Sequence, residues 1–364
     1  MHGPSCLADS SADWTLAAVV AQESAGVDLP VLALGQADWP HYLAAPNKAG
    51  RALQTARAEL TARHPSGWRV ARFVRAQAWL DANADAITLA ATEADPTRQA
   101  AQRAYSLSAS STSWAGNGIT LGTPWWPLCT LCTSGHWQWQ ADVSLLHLQK
   151  LRRADLGGTL NNNEAGTYDF DLWSQRSNTD ITGRFLPASG DAGSGRSWSL
   201  AVQGQPVPGW QLAVRADDIA SRLQWDDLAT DANTLKSAVA TLRPDGYLDY
   251  APYLRGKKSL WPITSPMAPR WQLTVQRALS TDDPSGAALT WQMSRQASID
   301  QIWIGWRNGS ATTALPHFSL AFEPHWPALQ FEATWRDWRL LIATDGKGLN
   351  TQYRRLELAW QTAL

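Results

Sequence analysis

The sequence predicts an all-β protein: a single closed, antiparallel barrel of about 14 strands (roughly 12–16) that crosses a lipid bilayer. Three observations carry this expectation. Apolar and polar residues alternate one by one along most of the chain, as they do when successive strand side chains point to opposite faces. Trp occurs 22 times in 364 residues, against 6 Phe and 7 Tyr. Such amphipathic rings concentrate where an apolar zone meets water. Charged residues make up only 17%, below the roughly 25% of soluble proteins.

A net charge of -1 gives no reason to expect a nucleic-acid partner. No apolar run reaches the roughly 20 residues of a membrane-spanning helix, so strands must make any crossing. Met1 to Asp13 contains no Lys or Arg, which leaves no basic flank for a signal peptide. The chain is therefore expected to be a mature form.

Trp14, Leu16, Ala18 and Val20 begin the first strand. From Asn47 to His64, Leu53, Ala56 and Leu60 fall at helical spacing behind a possible Asn47 cap. Residues 40–66 are accordingly expected as a helical or loop insertion. Trp68 to Leu80 returns to alternation, with Arg69, Arg72 and Arg75 requiring a partly polar setting. Residues 81–100 are the second Ala-rich insertion. Tyr105–Ser113 and Ile119–Trp125 read as a hairpin turning at Ala115-Gly116-Asn117-Gly118. Further strands fall at Trp137–Leu145, Tyr168–Leu172, Trp198–Val202 and Trp210–Val214, and Asp226 to Ala240 reads as a polar loop. From Arg270 onward the alternation is most regular. Trp271, Leu273 and Val275 oppose Gln272, Thr274 and Gln276, and the pattern runs on to Leu356, Leu358 and Trp360. Turn-forming residues such as Asn308-Gly309 and Asp345-Gly346 separate these strands. No linker or composition shift divides the chain, so 1–364 is expected as one domain.

The polar faces decide the environment. A soluble sandwich would set Lys and Glu there. This chain places Gln, Thr, Ser, Asp and occasional Arg instead, and holds only 6 Lys. A polar lumen explains that choice, with Trp and Leu facing lipid where closure satisfies every backbone group. The expected lumen residues are Gln138, Gln140, Asp142, Asp169, Asp171, Arg215, Gln272, Gln276, Gln292, Glu332 and Arg336. Asp169 and Asp171 are expected to bond to lumen partners such as Arg215, Arg336 or Arg339. The Ala-rich insertions are the candidate plugs or caps.

With its alternating strands, aromatic girdles, short turns such as Gln296-Ala297-Ser298 and amphipathic last strand Arg354–Leu364, the chain resembles Gram-negative outer-membrane β-barrel proteins. Asp218–Trp225 and Asp245-Gly246-Tyr247 are similar to segments of uncharacterised members. The resemblance implies a porin-like channel or a structural or assembly component of an envelope complex. It also implies location in the outer membrane, with the lipid bilayer and the outer-membrane insertion machinery as partners. Members usually end in Phe or Trp, whereas this chain ends in Ala363-Leu364.

Cys129 and Cys132, with His136 beyond, form a Cys-x-x-Cys expected as a small disulfide. A zinc site would need about four ligands, and the chain has no second Cys pair. His147 and His317 lie in strands without a nucleophile signature. Neither catalysis nor a cofactor or metal is expected. Two other classes compete with the channel reading: a Trp-rich β protein stacking on glycans, and a lipid-processing enzyme of the outer membrane.

Overall fold

A computed structural model describes residues 13–34, 36, 38–43, 47–95, 101–128, 136–163, 168–180, 193–237, 240–242, 248–250, 254–280, 286–308 and 316–364. The first half holds β1 (Thr15–Val27), β2 (Gly50–Arg63), β3 (Arg69–Ala82), the helix α1 (Ala84–Ala94), β4 (Ala104–Gly122), β5 (Trp126–Pro127), β6 (Gln138–Asn162) and β7 (Tyr168–Asn178). Next come β8 (Gly193–Gly204), β9 (Trp210–Asp217), β10 (Arg222–Lys236), β11 (Ala240–Leu242), β12 (Leu248–Tyr250) and β13 (Leu254–Ser265). The chain ends with β14 (Arg270–Ala278), β15 (Ala288–Gln296), β16 (Ile299–Arg307), β17 (His317–Glu323), β18 (Ala328–Trp335), β19 (Trp338–Thr344) and β20 (Tyr353–Ala363).

Among the described residues, eighteen strands form one antiparallel sheet, and β11 and β12 pair only with each other. Because β1 pairs with β2 on one side and β20 on the other, the sheet closes and its two flanks lose their edges. The expectation was about 14 strands, within a range of roughly 12–16. The surplus has a physical cause: parts of one wall are broken into end-to-end strands. β7 pairs with the upper half of β6 and β8 with the lower half. β9 and β10 lie end to end beside them, followed by β13 and β14. The remaining addition is the two-residue β5.

The wall is uneven. β14 to β19 are 7–9 residues long, whereas β4 has 19 and β6 has 25. One side of the barrel therefore rises beyond the other at the rim remote from the chain termini.

Three expectations are corrected. Residues 40–66 are no helical insertion, because β2 occupies 50–63 and is paired along its whole length with β1 and β3. Ala, Leu, Gln and Arg are good helix formers, but pairing on both sides overrides a weak intrinsic preference. Ala115-Gly116-Asn117-Gly118 is not a turn: β4 passes straight through it, with only a register shift against β6. The glycines serve close packing here. A Cβ at Gly118 would lie 2.2 Å from the Leu145 carbonyl oxygen and 2.7 Å from the Phe73 ring. Asp226 to Ala240 is largely strand, since β10 runs to Lys236 between β7 and β13.

The Ala-rich stretch at 81–100 does contain a helix. Asn83 caps α1 by accepting from the Ala86 amide at 3.0 Å. Its Ile87 packs with Leu29, Val31, Ala52 and Ala82. Ala52 and Ala82 share a face with the exposed Leu60 and Val74, so α1 lies against the outside of the wall and does not enter the lumen.

Candidate functional site

The site is the barrel interior, and strand alternation determines what enters it. Trp271, Met293, Phe318, Leu320, Phe331 and Leu358 are exposed and point outward. Leu273, Val275, Trp291 and Trp360 share that face. Leu320 is 56% exposed and Val20 60%. Apolar side chains open to the surroundings all round a closed sheet are the signature of a wall that faces lipid. The terminal rim carries Trp14, Trp68, Trp126, Trp306, Trp335 and Trp338, all exposed. Trp68, Trp126 and Trp139 meet edge to face there at 6.3 and 4.9 Å. This is a transmembrane β-barrel with an aromatic girdle.

Two kinds of side chain fill the interior. Toward the far rim is an apolar cluster of Ala25, Leu53, Ile299, Trp303, Trp326, Ala328, Leu341, Ala343 and Tyr353. The Trp326 ring stacks on Tyr353 at 5.3 Å, and Trp303 tilts against Tyr353 at 5.2 Å. Trp326 comes from the turn after β17, where Glu323 accepts from its backbone amide at 2.6 Å and draws the turn inward. A second cluster, which includes Phe73, Trp114, Leu148 and Trp225, fills the taller side. Trp79 packs against both.

Ion pairs lie nearer the terminal rim. Glu23 accepts from Arg270 at 3.0 Å, Gln301 at 2.9 Å and Tyr353 at 3.2 Å. Arg69 reaches Asp142 at 2.6 Å, and Arg215 reaches Asp217 at 2.9 Å and Asp142 at 3.8 Å. Arg75 bonds Asp218 at 2.5 Å, and the other oxygen of that carboxylate takes the Ser197 hydroxyl at 2.6 Å. Glu357 joins Arg355 at 2.5 Å and also Arg339, which touches Glu332 at 3.5 Å. Arg57 pairs with Glu59. Guanidinium forks suit this task because each can hold carboxylates with several directed bonds.

Most of the expected lumen residues line this interior face. Asp142 and Arg215 belong to the ion-pair network, and Glu332 reaches it through Arg339. Gln140 is buried and donates to the Thr123 carbonyl at 2.7 Å. Gln138 accepts from Gln203 at 3.5 Å. Gln272 donates to Thr274 at 3.3 Å, and Gln276 and Gln292 follow the same face of β14 and β15. Three positions are corrected. Asp169 and Asp171 stand on β7, above the lumen, where they meet Asn163 and Lys236 rather than Arg215, Arg336 or Arg339. Arg336 sits in the tight turn between β18 and β19 with φ 51° and lies over the Trp335 ring. Of the β3 arginines, Arg69 and Arg75 turn inward. Arg72 points out beside Leu60 and Ile119, close enough to the terminal rim for its head to reach water.

Sequence reasoning missed Glu23, Arg57, Glu59, Asp217, Asp218, Arg270, Tyr353, Arg355 and Glu357. Extending the first strand's alternation beyond Val20 would have placed Glu23 inside, since it shares parity with Ala25. Cys129, Cys132 and Asp245-Gly246-Tyr247 lie outside the described residues. Among the described residues, no group of three or more His, Cys, Asp or Glu side chains comes together as a metal site.

No protein-family model matches the chain, and no curated protein sequence does. Similar solved structures include the monoaromatic hydrocarbon channel TodX in a mutant form, with TM-score 0.42 and 9% identity, covering 97% of this chain and 90% of that one. The Pseudomonas putida toluene transporter TodX gives 0.40 and 8%, with the same coverage. The outer-membrane protease OmpT of Escherichia coli gives 0.26 and 6%, covering 97% and 98%.

Proposed function

We propose that the protein is an outer-membrane β-barrel of a Gram-negative bacterium, acting as a porin-like channel that its own side chains hold shut. The single observation behind this reading is the filled interior. Tyr353 is 0% exposed, Trp326 1% and Trp303 2%, although all three stand on the face that a solvent-filled pore would wet. Passage would require the turn carrying Trp326 to move. The reading is non-enzymatic, because the interior carboxylates are engaged by guanidinium groups. Their opposite charges nearly cancel, so an opened pathway should discriminate weakly between anions and cations.

Planar-bilayer recording tests this. Wild-type protein should stay closed for long periods with rare steps, and Trp326→Ala should raise the open fraction with weak ion preference. Silence from folded Trp326→Ala protein would overturn the channel reading and favour the second one, a structural component of an envelope complex. Strong selectivity for one sign of charge would contradict the balanced interior.

A further inference from the structure

A cavity of about 930 Å³ lies on the outside of the tall wall and takes no part in the interior. One cross-strand row locates it. Leu80 pairs with Ser111, Ser111 with Ala154, and Ala154 with Arg176. Arg176 then pairs with Asp231, and Asp231 with Lys258. Directly opposed residues share a face. By parity along β3 and β4 this face also carries the exposed Val74 and Ile119. Arg152 stands in the next row, opposite Ser113 and Asn178. Across the cavity, Val31, Leu32 and Leu34 of the segment after β1 supply an apolar wall.

The outer face of β6 fixes the level. Leu145 is 60% exposed and belongs to the lipid belt. The side chains above it are His147, Lys150 and Arg152, all exposed, so apolar surface gives way to basic surface within two turns of the pleat. Arg152 holds Asp180 at 2.6 Å and Arg176 meets Asp231 at 3.3 Å. Arg152 is 62% and Arg176 64% exposed at the side chain, so both present donors to the surroundings. Lys150, Arg152, Arg176 and Lys258 outnumber Asp180 and Asp231, although the chain as a whole carries only -1.

We propose that this cavity binds a phosphate-bearing, anionic lipid of the surrounding leaflet. The phosphate would sit among Arg152, Arg176 and Lys258. The chain would pass beside Leu32 and Leu80, then descend the small and apolar surface of Ala76, Val74 and Ile119. Charge complementarity selects the headgroup, and continuity with the belt supplies the acyl chain.

Native mass spectrometry of the full chain in detergent tests the site, with phosphatidylglycerol and phosphatidylcholine of matched chains as probes. Phosphatidylglycerol should be retained and phosphatidylcholine lost. The triple variant Arg152→Gln, Arg176→Gln, Lys258→Gln should hold phosphatidylglycerol at least about tenfold more weakly. Lys257→Gln removes one positive charge from the opposite face of β13, beside Lys258, and should leave binding unchanged. Heat-modifiable migration confirms that each variant is folded. Equal binding by the triple variant, equal loss in Lys257→Gln, or equal retention of phosphatidylcholine would overturn the proposal. Displacement of the lipid by millimolar glycerol phosphate would overturn it too, since the occupant would then be a soluble anion. None of these outcomes depends on whether the barrel conducts.

Discussion

The two halves of the interior occupy the same lumen but are held by different forces. Toward the far rim, Trp303, Trp326, Tyr353, Leu53 and Leu341 form a buried, close-packed cluster. Nearer the terminal rim, Glu23, Arg270, Arg215, Asp142 and Asp217 form an ion-paired mesh. Burial of apolar area scales with the surface removed from water and needs no exact partner. A buried ion pair returns little beyond the desolvation of its two charges, yet becomes costly once one member is removed. The apolar layer therefore supplies stability and the seal, and the charged layer supplies specificity of register. A strand that slipped by one residue would turn its charges to lipid.

The largest expected effect comes from the apolar layer. Trp303→Ala should destabilise the barrel by about 4 kcal/mol, because the ring is 2% exposed and its neighbours on β20 cannot collapse into the gap. Denaturant unfolding in detergent, followed by the loss of heat-modifiable migration, measures it. A loss below about 1 kcal/mol would mean that water already occupies this layer, and the contrast between the two halves would disappear.

The charged layer answers differently to single and paired changes. Glu23→Leu should cost about 3 kcal/mol, because Arg270 at 3.0 Å is left without its carboxylate. Adding Arg270→Met to Glu23→Leu should recover most of that loss, since both desolvated charges are then gone. The same unfolding assay on the single and double variants checks the pattern. If the double change costs as much as the sum of its parts, the two groups do not couple and the assignment of the pair to register fails.

The fold was legible where both periodicity and composition pointed the same way. From β14 to β20 the strands are short, each alternates strictly, and Trp or Leu marks the lipid face. The tall wall was harder to read because its local signals conflict with its pairing. β2 is written in helix-forming residues, and β4 carries an Asn-Gly pair that serves close approach instead of a turn. β10 is apolar only where Leu223, Trp225 and Leu228 are buried, and its stretch from Thr230 to Lys236 is mostly polar, which reads as a loop. The interior glutamines and Asp142 followed from parity alone. The long-range pairings of the mesh did not, since Arg270 and Glu23 are 247 residues apart and no local pattern links them. Arg336 and Asp171 were misplaced for a related reason. Parity identifies a face, but it does not show where a strand ends or where the wall leaves the membrane.

The smallest effect sharpens the comparison from outside both layers, at the helix that was a candidate plug or cap for the lumen and lies on the outer wall. Asp85, in the first turn of α1, accepts from Arg103 at 2.6 Å and from the Ser106 amide at 2.9 Å. The Arg103 bond, then the amide, holds the Asp85 carboxyl below its usual range. A carboxyl held lower in the folded state stabilises above its ordinary value, near about 4, and that contribution disappears as pH falls through the folded value. Hydrogen-exchange protection of the α1 amides should therefore weaken below about pH 4 while the strand amides of β1 and β20 stay protected. Asp85→Asn should lower the protection at neutral pH and flatten its pH dependence. The effect should be modest, because the pair is exposed to solvent and its attraction is screened. If the β1 and β20 amides lose protection together with α1, the helix is a structural part of the closed wall, and the interior is no longer the sole source of the barrel's stability.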